Sequence, residues 1–325
     1  MAKQETRSAA EGVAALLSPV VGLALGWIGY SAFGINHHQP LPSAIDAERA
    51  AFVDRHGRLQ TYYVERQGSG RPLLLVHSIN AAASAYEMRP LFEFYRERRP
   101  VYALDLPGFG YSDRADRHYS PDLYAHAILD TVEQIGNPVD VVALSLGCEF
   151  AARAALIAPE RINSLAMISP TGLQATPREG QGNSRALSLL AFPLWSQAFF
   201  DAIATRVSIR YFLGQSLVGP VDEGMIDYAY QTAHQPGARF APLAFLAGML
   251  FTPDMASLYE RLTVPVLALY DEDAFTSFER LPDLLRDSSH WQARRITPSR
   301  GLPQFERLAD TVHALNQFWS AQPPL

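Results

Sequence analysis

Apolar positions along this chain follow two rhythms. Unbroken apolar runs occur at 72–77 (PLLLVH), 101–106 (VYALDL), 139–144 (VDVVAL), 165–169 (LAMIS) and 264–270 (VPVLALY). Each has the length of a strand and almost no polar side, the pattern of a strand covered on both faces. A sixth, more polar run lies at 291–297. Between most of these runs apolar residues recur every three or four positions, as at 121–135 and 146–158, which predicts helices. Strands alternating with helices give a mostly parallel sheet flanked by helices, an α/β fold. Ahead of the first run, 51–66 alternates about His56-Gly57-Arg58, a turn signal, and predicts a β-hairpin.

The interval from Ser169 to Val264 is too long for one crossover. It holds four helical patterns, at 186–200, 202–212, 224–234 and 241–250. The expected organisation is an N-terminal hydrophobic helix at 1–34, a linker at 35–50, a core made of 51–172 and 258–325, and a helical insertion at 173–257.

From Val13 to Phe33 the chain runs 21 residues without a charge. As a helix, that length spans about 30 Å, the thickness of a bilayer core. Trp27 and Tyr30 lie near its end, where an interfacial belt places aromatics, and Gly22 and Gly26 form a GxxxG pair that admits a second helix. The segment is expected to be a retained membrane anchor; the competing reading is an apolar helix docked on the protein's own surface. His37 and His38, just beyond it, are expected at the interface.

Composition narrows the classes further. The 325 residues are 48% hydrophobic and 18% charged, enough for a large core. A net charge of -6 offers no basic footprint for nucleic acid, so no such partner is expected. Cys148 is the sole cysteine, which excludes an intramolecular disulfide, and it is expected to be a small core residue. No Cys/His spacing suggests zinc, and neither metal nor cofactor is expected.

Chemistry concentrates at Ala143-Leu144-Ser145-Leu146-Gly147, which follows a buried strand and opens a helix. A serine on such a turn is lifted above the sheet, and the residues two before and two after it must be small. Asp105-Leu-Pro107-Gly108-Phe-Gly110-Tyr-Ser112 precedes it, after a strand ending in His77. Those marks, in that order, resemble the α/β-hydrolase superfamily over roughly residues 50–320. The resemblance implies the α/β-hydrolase fold, with the insertion as a helical cap and ligands bound above the carboxyl ends of the strands.

Site roles follow from that resemblance, position by position. Ser145 stands as the nucleophile. The oxyanion would be held by the N–H groups of Leu146 and Ile79, with Ser78 where a glycine is usual. The acid falls at Asp273, with Asp271 as the alternative. The base departs from the pattern: in Ser299-Arg300-Gly301-Leu302-Pro303-Gln304-Phe305-Glu306 the frame x-L-P-x-x-E is intact, but Gly301 occupies the place of histidine. A serine hydroxyl needs a neighbouring base to become a nucleophile. His118 and His234 are the two candidates for a base supplied from elsewhere, and His77 is expected to be structural. The cap segment 186–212 is rich in Leu, Phe, Trp and Tyr, which suits a small lipophilic ligand. Arg206 and Arg210 share a helical face that would meet a carboxylate or phosphate, or simply solvent. Two readings stand: a membrane-associated serine hydrolase of a lipophilic ester or thioester, with an atypical triad, or a hydrolytically inactive protein of the same fold that binds a ligand or partner.

Overall fold

A computed structural model describes residues 21–176 and 182–321. The first described element is a helix through 21–34 (α1). A hairpin follows, β1 (Glu48–Val53) and β2 (Leu59–Glu65), so the first strand begins inside the stretch expected as a linker. Its turn holds together because Asp54 Oδ1 accepts from His56 N at 2.8 Å and Arg58 N at 2.9 Å. Then come β3 (Leu73–Val76), α2 (Arg89–Tyr95), β4 (Val101–Asp105), α3 (Pro121–Ile135), β5 (Val139–Leu144), α4 (Gly147–Ile157) and β6 (Ile162–Ile168).

Among the described residues, six helices lie between β6 and the next strand: α5 (Ser184–Leu190), α6 (Ser196–Ile203), α7 (Arg206–Gln215), α8 (Glu223–Ala233), α9 (Phe240–Leu246) and α10 (Met255–Tyr259). The single helix expected over 186–200 is thus two, parted around Pro193, whose ring lacks the N–H that a continuing helix needs. The chain closes with β7 (Val266–Glu272), α11 (Leu281–Asp287), β8 (Trp291–Arg300), α12 (Pro303–Glu306) and α13 (Leu308–Ser320).

The eight strands form one sheet in the order β1-β2-β4-β3-β5-β6-β7-β8. Only β2 is antiparallel to its neighbours, pairing that way with β1 and with β4; every other pair is parallel. Period-two alternation sorts the central strands between two cores. Leu74 and Val76 join Tyr124, Ile128 and Phe150 of α3 and α4 on one face. Leu73 and Leu75 join Leu91, Leu315 and Phe318 of α2 and α13 on the other. The mostly parallel sheet is the one expected from the alternation of runs and helices, and the whole is the α/β-hydrolase fold that the Ser145 and Asp105–Ser112 resemblance implied.

The N-terminal expectation needs correction where it can be read. Residues 13–20 of the proposed span lie outside the described residues. Among those described, no helix is long and apolar enough to cross a membrane. Trp27 does not stand in a belt: its Nε1 donates to Ala198 O of α6 at 2.7 Å. Ser31 Oγ donates to Asp201 Oδ2 at 2.5 Å, and His37 Nε2 lies 3.0 Å from the same carboxylate. The described part of the segment therefore docks on the cap. A Cβ placed on Gly22 or Gly26 would meet nothing within 4 Å, so no second helix sits in that notch among the described residues.

Candidate active site

Ser145 sits between β5 and α4 with φ 52°, in the left-handed region that costs an L-residue about 1–2 kcal/mol. The surroundings hold it there. Its N–H donates to Ile168 O at the end of β6, at 2.8 Å. Gly147 lets α4 approach β3, since a Cβ there would stand 2.5 Å from His77 O. Ala143 is fully buried, and the Cys148 thiol donates to its carbonyl at 3.2 Å, which makes Cys148 the core residue expected. Ser145 itself remains partly exposed, and its hydroxyl has no hydrogen-bond partner among the described residues.

Leu146 N and Ile79 N also have no acceptor among the described residues. The Ser78 N–H, by contrast, is taken: it donates to Glu87 Oε2 at 2.9 Å. Glu87 also accepts from Asn80 Nδ2 at 2.8 Å, and Asn80 Oδ1 accepts from Ala82 N at 2.8 Å. A buried carboxylate thereby fixes the whole 78–82 turn. Burial raises the pKa of Glu87 despite those donors. The sequence gives no sign of this residue, since an acid inside AYEM belongs to no motif and its partners are set by the fold. Ser78 Oγ accepts from Asn80 Nδ2 at 3.2 Å, so the side chain in place of glycine is tied back into the turn.

The Asp105 loop is scaffolding. Its carboxylate accepts from Ala85 N at 3.1 Å and Tyr111 N at 3.0 Å. Gly110 packs over it at φ 52°, where a Cβ would lie 2.0 Å from Asp105 Cγ.

The two candidate acids part ways. Asp271 is bound into the sheet edge, accepting from Arg295 Nε at 2.6 Å and Ser299 N at 2.9 Å. Burial alone would raise its pKa; the Ser299 N–H and Arg295 outweigh that and lower it. Asp273 faces Gly301: a Cβ on Gly301 would stand 3.0 Å from Asp273 Oδ2. Burial raises the Asp273 pKa above its ordinary value, against the opposing N–H groups of Phe275 and Thr276 and the Ser169 side chain.

Gly301 has φ 75° and is buried, and its missing Cβ would also contact Ser216 Cβ of the cap at 3.7 Å. Glu306 fastens the cap over this corner. Its Oε1 accepts from Val218 N at 2.5 Å and Gly219 N at 3.0 Å, and its Oε2 accepts from Arg300 N at 3.1 Å.

All nine histidines lie among the described residues, and none bonds to Ser145. His77 is pinned at both nitrogens, Nδ1 donating to Ser78 O at 2.6 Å and Nε2 accepting from Leu106 N at 3.0 Å. Burial lowers its pKa to about 4, so it is structural, as expected. His234 is buried in the cap beside Asp201, with Nδ1 on Tyr230 O at 2.7 Å and its ring stacked on His37 at 5.9 Å. His37 is thus part of a polar knot rather than of an interface. His118 lines an open groove of about 450 Å³ with Arg55, His56, Arg58 and His126, a groove that does not include Ser145. Neither base candidate is brought to the serine. Arg206 and Arg210 meet carboxylates of their own chain, Asp227 and Glu223 of α8. Among the described residues no cluster of His, Cys, Asp and Glu is arranged to hold a metal ion.

Residues 73–317 match the model of the alpha/beta hydrolase family. The chain belongs to that family. Among curated relatives of this α/β-hydrolase, a 2-hydroxy-6-oxo-6-(2'-aminophenyl)hexa-2,4-dienoic acid hydrolase of Metapseudomonas resinovorans is 22% identical over 70% of the chain and 77% of that protein. A pimeloyl-[acyl-carrier protein] methyl ester esterase of Shewanella woodyi is 34% identical over 33% of the chain and 39% of the esterase. Among solved structures, a bacterial membrane phospholipase A aligns over 96% of the chain and 94% of its own, with TM-score 0.66 and 19% identity, a likeness of fold.

Proposed function

We propose that this α/β-hydrolase cleaves an ester or thioester of a lipophilic acyl compound, in association with a membrane, with Ser145 as nucleophile. The observation that carries the reading is the left-handed Ser145 at the head of α4, with the Leu146 and Ile79 N–H groups finding no acceptor among the described residues. In this reading Ser145 Oγ adds to the acyl carbon while those two N–H groups hold the developing oxyanion. The ester or thioester bond breaks, the alcohol or thiol leaves with the proton the serine gave up, and water then cleaves the acyl-serine to the free acid and restores the hydroxyl. Asp273, with proton affinity raised by burial, stands as the acid of the site and faces the place where the base belongs. The base itself is not an imidazole of the usual position, because Gly301 stands there. The relatives support ester and related hydrolysis as the reaction class. The apolar 13–33 segment, whose described part leaves Leu23 and Phe33 exposed, supports the membrane setting.

Gly301 favours the second reading, a ligand- or partner-binding protein without hydrolysis, since its loop fits glycine in both φ and contact. Turnover of p-nitrophenyl esters of increasing chain length separates the two. Hydrolysis that rises with chain length and disappears in Ser145→Ala is expected. Equal background rates in both proteins, each folded, leave only binding.

A further inference from the structure

Thirteen of the nineteen large hydrophobic side chains that stand exposed among the described residues fall in two stretches, 21–34 and 189–218. Folding joins these stretches. Trp27 and Ser31 of α1 bond to Ala198 and Asp201 of α6, and α7 begins at Arg206, just past the end of α6 at Ile203. On α1, Leu23 is 76% and Phe33 93% exposed; on the cap, Leu194 is 60%, Val207 80% and Tyr211 62% exposed. Scattered exposed leucines are ordinary on a protein surface, but this concentration on neighbouring elements is not.

Charge in the same stretches has one sign. Residues 21–34 carry none. From 183 to 219 the exposed charged residues are Arg185, Arg206 and Arg210, and the one acid, Asp201, is buried. Arg206 and Arg210 do pair with Asp227 and Glu223, both on α8 beyond this stretch. With those two arginines neutralised by exposed acids, Arg185 is the cation of this apolar face that has no ion-pair partner among the described residues and can meet an anionic headgroup.

We infer that the outer surface of α5–α7, continuous with α1, seats directly on an anionic lipid bilayer. The inference rests on the membrane half of the function proposed above and not on the chemistry of Ser145. It makes the cap itself a membrane-contact surface, where the sequence had marked only the N-terminal segment. Apolar side chains leave water as the surface seats, and Arg185 draws it towards the negative surface. The Asp201 knot ties α1 to α6, so the two exposed apolar stretches move as one.

Vesicle co-sedimentation of the full chain tests this, using phosphatidylcholine alone or with a third of phosphatidylglycerol. The wild type is expected to bind the anionic vesicles about fivefold more tightly, the order that one arginine near the surface supplies. Leu194→Glu/Val207→Glu/Tyr211→Glu is expected to lose at least about tenfold in partitioning with its circular dichroism and melting unchanged. Brominated lipid is expected to quench Trp195 fluorescence, a signal that Trp195→Phe removes. Wild-type binding by the cap triple variant, with loss only in Leu23→Glu/Phe33→Glu, would overturn the inference. So would a lipid-free dimer abolished by the triple variant, which would assign the surface to a second copy. Ser145→Ala is expected to bind vesicles normally, so failure of the catalytic reading and failure of this one give different results.

Discussion

Asp273 and Gly301 meet so closely that the carboxylate crowds the place of a Cβ, 3.0 Å away, and the backbone there has φ 75°. A histidine at 301 therefore has to adopt a left-handed conformation and push Asp273 aside. Gly301→His is expected to lower the unfolding free energy by about 1–2 kcal/mol, read by denaturant titration. The same variant is expected to accelerate reaction at Ser145 by roughly 10²–10⁴-fold, the usual contribution of a placed general base. A destabilised variant that reacts no faster would mean that an imidazole at 301 does not reach the serine. His77 makes a separate prediction. Its folded pKa is depressed to about 4, so below the unfolded value near 6.5 the unfolded chain takes up the proton first. Stability attributable to His77 falls as pH drops through that window, by up to about 1.4 kcal/mol per pH unit. Glu87, Asp105 and Asp273 act in the opposite sense, because burial raises their pKa values. The clean observable is thus the ring itself: imidazole nitrogen shifts at pH 5 are expected to show neutral His77 with Nδ1 protonated. A cationic ring at pH 5 would contradict the account.

Among elements, the strand–turn–helix unit of β5, Ser145 and α4 depends on close approach. Gly147→Ala sets a Cβ 2.5 Å from a backbone carbonyl, which cannot rotate away. A loss of about 1–3 kcal/mol is expected from such overpacking, seen as a lower melting temperature, together with slower reaction at Ser145 as Leu146 N is displaced. Unchanged melting would mean that α4 shifts freely. This unit was legible in the sequence because buried parallel strands read as unbroken apolar runs and the small residues at 143 and 147 flank the serine. The hairpin and most helices were legible for the same local reasons. The break between α5 and α6 was marked by Pro193, although the apolar pattern runs through it. Glu87, Asp201 and Glu306 were not legible. Each is an acid whose partners lie on other elements, and nothing local distinguishes it from a solvated carboxylate. Asp271 and Asp273 were inseparable for a related reason: both follow the same strand, and only the neighbours, Arg295 for one and Gly301 for the other, tell them apart.

On the scale of the whole molecule, an uncharged N-terminal stretch reads alike whether it faces lipid or its own protein, and the bonds of Trp27 and Ser31 decide only for the described part. Asp201 joins that part to the cap through Ser31 and His37, and also accepts from Gln197 of its own helix. Asp201→Ala leaves those groups without their buried acceptor, a loss of about 1–3 kcal/mol. Hydrogen exchange is expected to accelerate across 21–34 and α6 while the central strands keep their protection; unchanged exchange in α1 would show that apolar packing alone holds it. Around this frame the sheet, the turn at Ser145, the fixed 78–82 turn and Asp273 are the parts on which the proposed hydrolase reading rests. The central claim is that Ser145 is still a nucleophile. A fluorophosphonate probe followed by intact mass addresses it most directly. Slow labelling of the wild type is expected, one adduct per chain, abolished by Ser145→Ala and faster in Gly301→His. A folded wild-type protein that takes up no probe at any pH up to about 9, where the serine is most readily deprotonated, would contradict it.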